Sequence, residues 1–174
     1  MSSSPNPLAV VLQHQLLREL RTLRRELEAY PDERLLWALP PGCPNSAGTL
    51  VLHLAGNLRH YIGAHLGGTD YVRNRPEEFA ARDVPRAALL DQLGEAEAAI
   101  ASALPRVSEE QMAAEFPEAI RDIHLRTDDF LVHLAVHLGY HLGQIDYHRR
   151  LVTGDRKGAD ALHPGEMATA RREG

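Results

Sequence analysis

Three histidines recur every four residues in His133-Leu-Ala-Val-His137-Leu-Gly-Tyr-His141-Leu-Gly-Gln144, inside an apolar helical pattern. Residues four apart share one face of an α-helix and stand about 6 Å apart along its axis. Two imidazoles so placed can converge on one ion, as they do in helix-borne zinc motifs. Burying imidazoles in a Leu-rich face is costly unless each finds a partner. A transition metal is one such partner, because neutral imidazole is a favoured ligand for Zn, Ni, Fe and Cu. His133 and His141 differ by eight positions, roughly 12 Å along the axis, too far to share one ion. A single metal therefore takes His137 with one neighbour, and another helix must complete the set.

His53 is the remaining histidine that combines a mid-helix position with an apolar setting, among Leu50, Leu54 and Leu58. His14 falls off its leucine stripe, and His60 and His65 lie toward the loop end of their helix. His53, His137 and His141 are accordingly the expected ligands. Three protein ligands leave a coordination position open, the arrangement of a catalytic rather than a structural metal. Metal-bound imidazoles need a partner for their other nitrogen, so His133, Asn57 and Gln144 are candidates to support the ligands or line the pocket. Arg73 and Arg75 are possible anion-binding residues, since guanidinium grips carboxylates bidentately; the competing reading pairs them with Glu77 and Glu78 to pin a surface loop. His148 is placed outward beside Arg149 and Arg150.

Four long helical segments must position these residues. The first runs from about Leu8 to Ala29 on the stripe Leu12, Leu16, Leu20, Leu23 and Leu27, with Arg18, Glu19, Arg21, Arg24, Arg25 and Glu26 filling the remaining surface. The second starts at Asn45 or Ser46 and ends before Gly67-Gly68. Thr69 to Arg82 is an ordered excursion. The third runs from an Asp83 cap to about Leu104, and Ser108-Glu-Glu-Gln111 matches a capping box. The fourth runs from Thr127 or Asp128 to about Val152, stopping at Gly154. The predicted fold is all-α, a four-helix bundle over 8–153, with a disordered lead at 1–7 and a polar C-terminal tail at 154–174. Whether the helices connect up-down-down-up is left open.

The 174 residues suit one core, and 44% hydrophobic with only 5% aromatic content suits a bundle of Leu, Ala, Val and Ile. A net charge of -5 gives no basic field for a phosphate backbone, so nucleic acid is not an expected partner. The single cysteine, Cys43, excludes an internal disulfide and a Cys-rich zinc site. No apolar run approaches 20 residues, so no membrane span is expected and a cytoplasmic location is.

The segment Gly48-Thr-Leu-Val-Leu-His53-Leu-Ala-Gly-Asn57, followed late by His137-x-x-x-His141-Leu-Gly-Gln144-Ile145, resembles the DinB/YfiT-like superfamily of metalloenzymes. Asn57-Leu-Arg59, Gly67-Gly68 and Arg73-Asn-Arg75-Pro-Glu-Glu78-Phe79 are similar to one of its functionally uncharacterised branches. The resemblance implies a bundle with a divalent metal, often Zn or Ni, held by three histidines of helices two and four. On matching positions these are His53, His137 and His141. It also implies a homodimer. Some branches are thiol-dependent S-transferases or isomerases using bacillithiol, mycothiol or glutathione, and others hydrolyse small substrates.

Two function classes follow. In the first, the chain is a metal-dependent enzyme on a small molecule, its ion activating a water or a low-molecular-weight thiol. No Glu follows His137 as HExxH would require, which argues against zincin-type proteolysis, and no general base is evident. In the second, it is a non-catalytic metal- or ligand-binding bundle, a sensor, storage or dimerisation module.

Overall fold

The computed structural model describes residues 6–160 and 164–172; most of the expected lead, with His163, lies outside them. Pro7 and Asn6, at the end of that lead, belong to the bundle. Asn6 caps helix α1 (Pro7–Glu28), its side chain accepting from the N–H groups of Leu8 and Ala9. Ser46 caps α2 (Ala47–Leu58), which widens without a break into a π turn over Arg59–Ala64. A short α3 (Arg75–Ala80) follows, then α4 (Arg86–Ala103) and α5 (Glu109–Ala113), the last closed by the expected capping box of Ser108 and Gln111. The longest helix, α6 (Thr127–Thr153), ends on Gly154 at φ 70°, a left-handed position that suits glycine. Asp83 does not cap α4: that helix begins after Pro85, and Glu33 accepts from the N–H of Arg86 instead.

Helix direction follows from the contacts. Gln13 reaches the carbonyl of Ala101 while Arg24 pairs with Glu97, so α1 and α4 run antiparallel. His53 meets His141 while Tyr61 meets Phe130, so α2 and α6 are antiparallel as well. Arg59 bonds Gln92 and Gly67 abuts Ala103, making α2 parallel to α4. The four long helices thus connect up-down-down-up. α1 packs on α4 and α6, and α2 does the same from the opposite corner. The leucine stripe of α1 is fully buried together with Leu54, Leu58, Leu89, Leu93, Leu138 and Ile145; each such side chain contributes about 1.5–3 kcal/mol on leaving water. Among the described residues no strand forms, and no helix is long and apolar enough to cross a membrane. The tail lies along α1, where Arg25 donates to the carbonyls of Ala159 and Asp160 and Arg21 pairs with Glu166.

Three polar residues of the α1 surface, Arg18, Glu19 and Glu26, are buried rather than solvated, and so are His148 and Arg149. The inward stripe of α6 runs Leu134, Leu138, Leu142, Ile145, His148, so helical phase overrides the polar composition of its last turns. Arg149 satisfies Glu26 at 2.5 Å. His148 donates from Nε2 to the carbonyl of Ala38 at 2.9 Å, which leaves Nδ1 to accept from the Tyr30 hydroxyl at 2.8 Å. Burial holds this imidazole's pKa below the ordinary value, against a smaller opposing effect of the Ala38 bond. The unfolded chain therefore takes up a proton that the folded one refuses, and stability falls as pH drops below about 6.5. Urea unfolding should show stability being lost to this residue as pH falls from about 6.5 to about 5.5. In His148→Gln, that slope should flatten.

Candidate metal centre

His53 stands in the middle of α2, where Ala55, Gly56 and Asn57 keep the helix face small and buried. Across the antiparallel α2/α6 contact it meets His137 and His141, one turn apart on α6. The Nε2 atoms of His53 and His137 are 3.3 Å apart, and one nitrogen from each of the three rings lies within 4.8 Å of the others. A tetrahedral ion with bonds of about 2.0–2.1 Å separates its ligands by about 3.3 Å, so the first pair already has ligand spacing. The rings meet edge to face, His53 to His137 at 86° and His137 to His141 at 89°.

Two of the three imidazoles are held from behind. Gln144 accepts from Nδ1 of His141 at 2.7 Å. Glu78, on α3, accepts from Nδ1 of His53 at 3.1 Å and is itself gripped by Arg73, whose Nε and Nη2 lie 2.7 and 2.9 Å from its two oxygens. Arg73 Nη2 also lies 3.2 Å from Nδ1 of His53. Where Nδ1 of His53 carries the proton toward Glu78, and that of His141 toward Gln144, each Nε2 keeps its lone pair, the tautomer a metal ligand needs. Burial works against the Glu78 carboxylate, yet the bonds from His53 and Arg73 hold its pKa below the usual range. At His137, burial first and then the neighbouring His141, His53 and His133 rings push the pKa down to about 3. Burial, partly offset by Gln144, also lowers His141. Imidazole nitrogens this close together are a donor set for a divalent cation, and this cluster could hold one.

The family model of the DinB superfamily matches residues 15–145, an interval containing all three imidazoles and most of the bundle. The chain belongs to the DinB superfamily. Among curated proteins and among solved structures, nothing matches.

In this DinB chain the remaining site residues have distinct places. His133 is exposed, lines a cavity of about 680 Å³ beside His137, and stacks on that ring at 6.1 Å. Asn57 also lines the cavity, buried, with no hydrogen-bond partner for its Oδ1 and no bond to any of the three clustered imidazoles. Arg73 and Arg75 both reach the cavity wall. The first is committed to Glu78, and the second lies over the Phe79 ring at 4.9 Å.

Glu78 is the residue that spacing does not disclose as part of the centre. The usable signal is Gly56, one turn beyond His53. A Cβ there would stand 2.1 Å from Oε1 and 2.9 Å from Cδ of Glu78. Gly56→Ala should leave helix content intact, since Ala favours helix, while swinging the carboxylate off His53. Metal affinity by chelator competition should fall by about tenfold.

Proposed function

We propose that this DinB chain is a divalent-metal-dependent enzyme that transfers a low-molecular-weight thiol to a small electrophile. The convergence of the imidazoles of His53, His137 and His141, the first two on the wall of a 680 Å³ cavity, carries this reading. That volume lies within the range of small-molecule sites, about 300–1,000 Å³. A divalent ion on His53, His137 and His141, Zn or Ni by the family resemblance, would supply Lewis acidity that lowers the pKa of a thiol or water it takes up.

The chain's own residues supply the rest. Glu78 and Gln144 orient two of the rings. His133, the cavity imidazole outside the triad, is placed to carry a proton to or from a bound reactant. Arg75 and Arg121, charged groups on the cavity wall, suit the carboxylates that such thiols carry. Ile120, Ile123 and Leu125 give the opposite wall an apolar surface that limits water. The exposed row Val132, Val136, Tyr140 and Tyr147 on α6 supports a homodimer.

The test is turnover by untagged, metal-loaded protein across a panel of low-molecular-weight thiols with electrophilic acceptors, and across small esters and amides without thiol. Thiol-dependent turnover that disappears with chelator and in His137→Ala is expected. Turnover of the esters without thiol would make the enzyme a hydrolase. A metal-loaded protein inert throughout would be the binding module instead.

A further inference from the structure

A second cluster of metal-ligating side chains lies away from the three-imidazole centre. His60 and His65 each place Nε2 2.7 Å from the same oxygen, Oε2 of Glu118, and the three atoms lie within 4.8 Å of one another. We propose that His60, His65 and Glu118 form a second divalent-cation site, which fastens the segment 114–126 to the end of α2. It is independent of the catalytic reading above.

The π turn makes the site. Five residues along an α-helix are about 140° out of phase, which would send these two rings to different faces. The wider turn over Arg59–Ala64, with the N–H of His65 bonded to the carbonyl of His60, returns His65 to the side of His60. Their rings then sit 4.8 Å apart at 81°, edges converging, with Tyr61 against His60 and Phe116 against His65. Glu118 arrives from the segment between α5 and α6, which is closed on itself by the bridges Glu115–Arg126 and Ile120–Ile123.

Two imidazole nitrogens and one carboxylate oxygen are a donor set that zinc accepts with a fourth position left for water. Seating the ion requires the 2.7 Å separations to open to about 3.3 Å. Glu118, with 38% of its side chain exposed, has room for that movement. In the cation-free cluster both Nε2 atoms carry protons donated to Glu118. On binding, each Nε2 must give up that proton, the imidazole then carrying one on Nδ1 as a metal-bound ring does.

Seven residues separate His53 from His60, about 10 Å along the helix. Paired catalytic metals stand about 3.5–4 Å apart, so the two ions would act separately. The second has a structural consequence. Ala119, Ile120, Arg121 and Ile123 line the same cavity as His53 and His137, and a cation on Glu118 would hold that wall in place.

Zinc(II) titration of the metal-stripped, untagged full chain, by calorimetry against a competing chelator, tests this. Two equivalents are expected for the wild type. Glu118→Gln and His65→Asn should each bind one, His137→Ala should bind one, and His137→Ala with Glu118→Gln none. If Glu118→Gln and His65→Asn both match the wild type, or His137→Ala binds none, the second site is overturned. If Glu118→Gln binds none while His137→Ala binds one, the second site stands and the three-imidazole site fails. Trypsin supplies a readout that does not depend on stoichiometry. Zinc should slow cleavage after Arg121 by about tenfold in the wild type and in His137→Ala, and not in Glu118→Gln. Equal zinc protection in Glu118→Gln would also overturn the proposal.

Discussion

In His137→Ala, affinity for metal at the three-imidazole centre should fall by on the order of a thousandfold or more, while the metal-free protein melts close to the wild type. Loss of a residue that merely supports a ligand costs about 10–100-fold, and His137 is the imidazole shared by both possible pairings on α6. The two effects separate for a structural reason. His137 is half-buried on the cavity wall, and its one hydrogen-bond contact is Nε2 of His53. Truncation therefore leaves unpaired only Nε2 of His53, which lines the cavity where water can reach it, so the full cost of a buried polar deletion does not apply. The stabilisation that metal confers should vanish with the affinity. At a free metal concentration 100 times Kd, binding adds about 2.7 kcal/mol. In a chain of this size that raises Tm by about 5–10 °C. Calorimetric melting with and without added zinc reads both quantities in one series. A His137→Ala protein whose Tm still rises as far as the wild type's, with the Glu118 cluster removed by Glu118→Gln, would sink the three-imidazole reading.

The triad was legible because two periodicities state it openly: His137 and His141 one turn apart on an amphipathic helix, and His53 set among leucines. Capping at Ser46 and Ser108, the start of α6 at Thr127 and its stop at Gly154 were legible for a similar reason, each being a local hydrogen-bonding or backbone requirement written in one or two residue types. What escaped has no such local mark. Glu78 reaches His53 across a break in helix between Gly68 and Asn74, so its role depends on how an irregular segment folds back. Its pairing with Arg73 was one of two readings open, and nothing in the spacing says that the same carboxylate also holds an imidazole. The π turn has no residue signature, and under α-helical phase His60 and His65 fall on different faces. His148 was misplaced because the polar stretch Asp146–Arg150 suggests a solvated end, whereas Tyr30 and the carbonyl of Ala38 provide partners that only the tertiary fold brings near.

Glu78 separates metal binding from folding more sharply than the ligands do. Its carboxylate neutralises Arg73 and orients His53, and both it and Arg73 have less than a tenth of their side chains exposed. Glu78→Gln keeps the shape and an oxygen that can accept from Nδ1 of His53, but removes the charge that raises the ring's basicity as a ligand. Metal affinity should fall by about 10–100-fold. Glu78→Ala goes further by leaving the Arg73 guanidinium buried without a counter-charge, at a cost of about 3 kcal/mol in unfolding free energy. Removing that charge as well, in Glu78→Ala with Arg73→Met, should restore most of the stability, because the penalty belongs to the orphaned cation rather than to the lost pair. Affinity should not return, since nothing then holds Nδ1 of His53. Recovery of both together would mean that Glu78 serves only to satisfy Arg73. Recovery of stability alone, read by urea midpoints beside chelator competition, would establish that this carboxylate sets the orientation and donor strength of the α2 ligand.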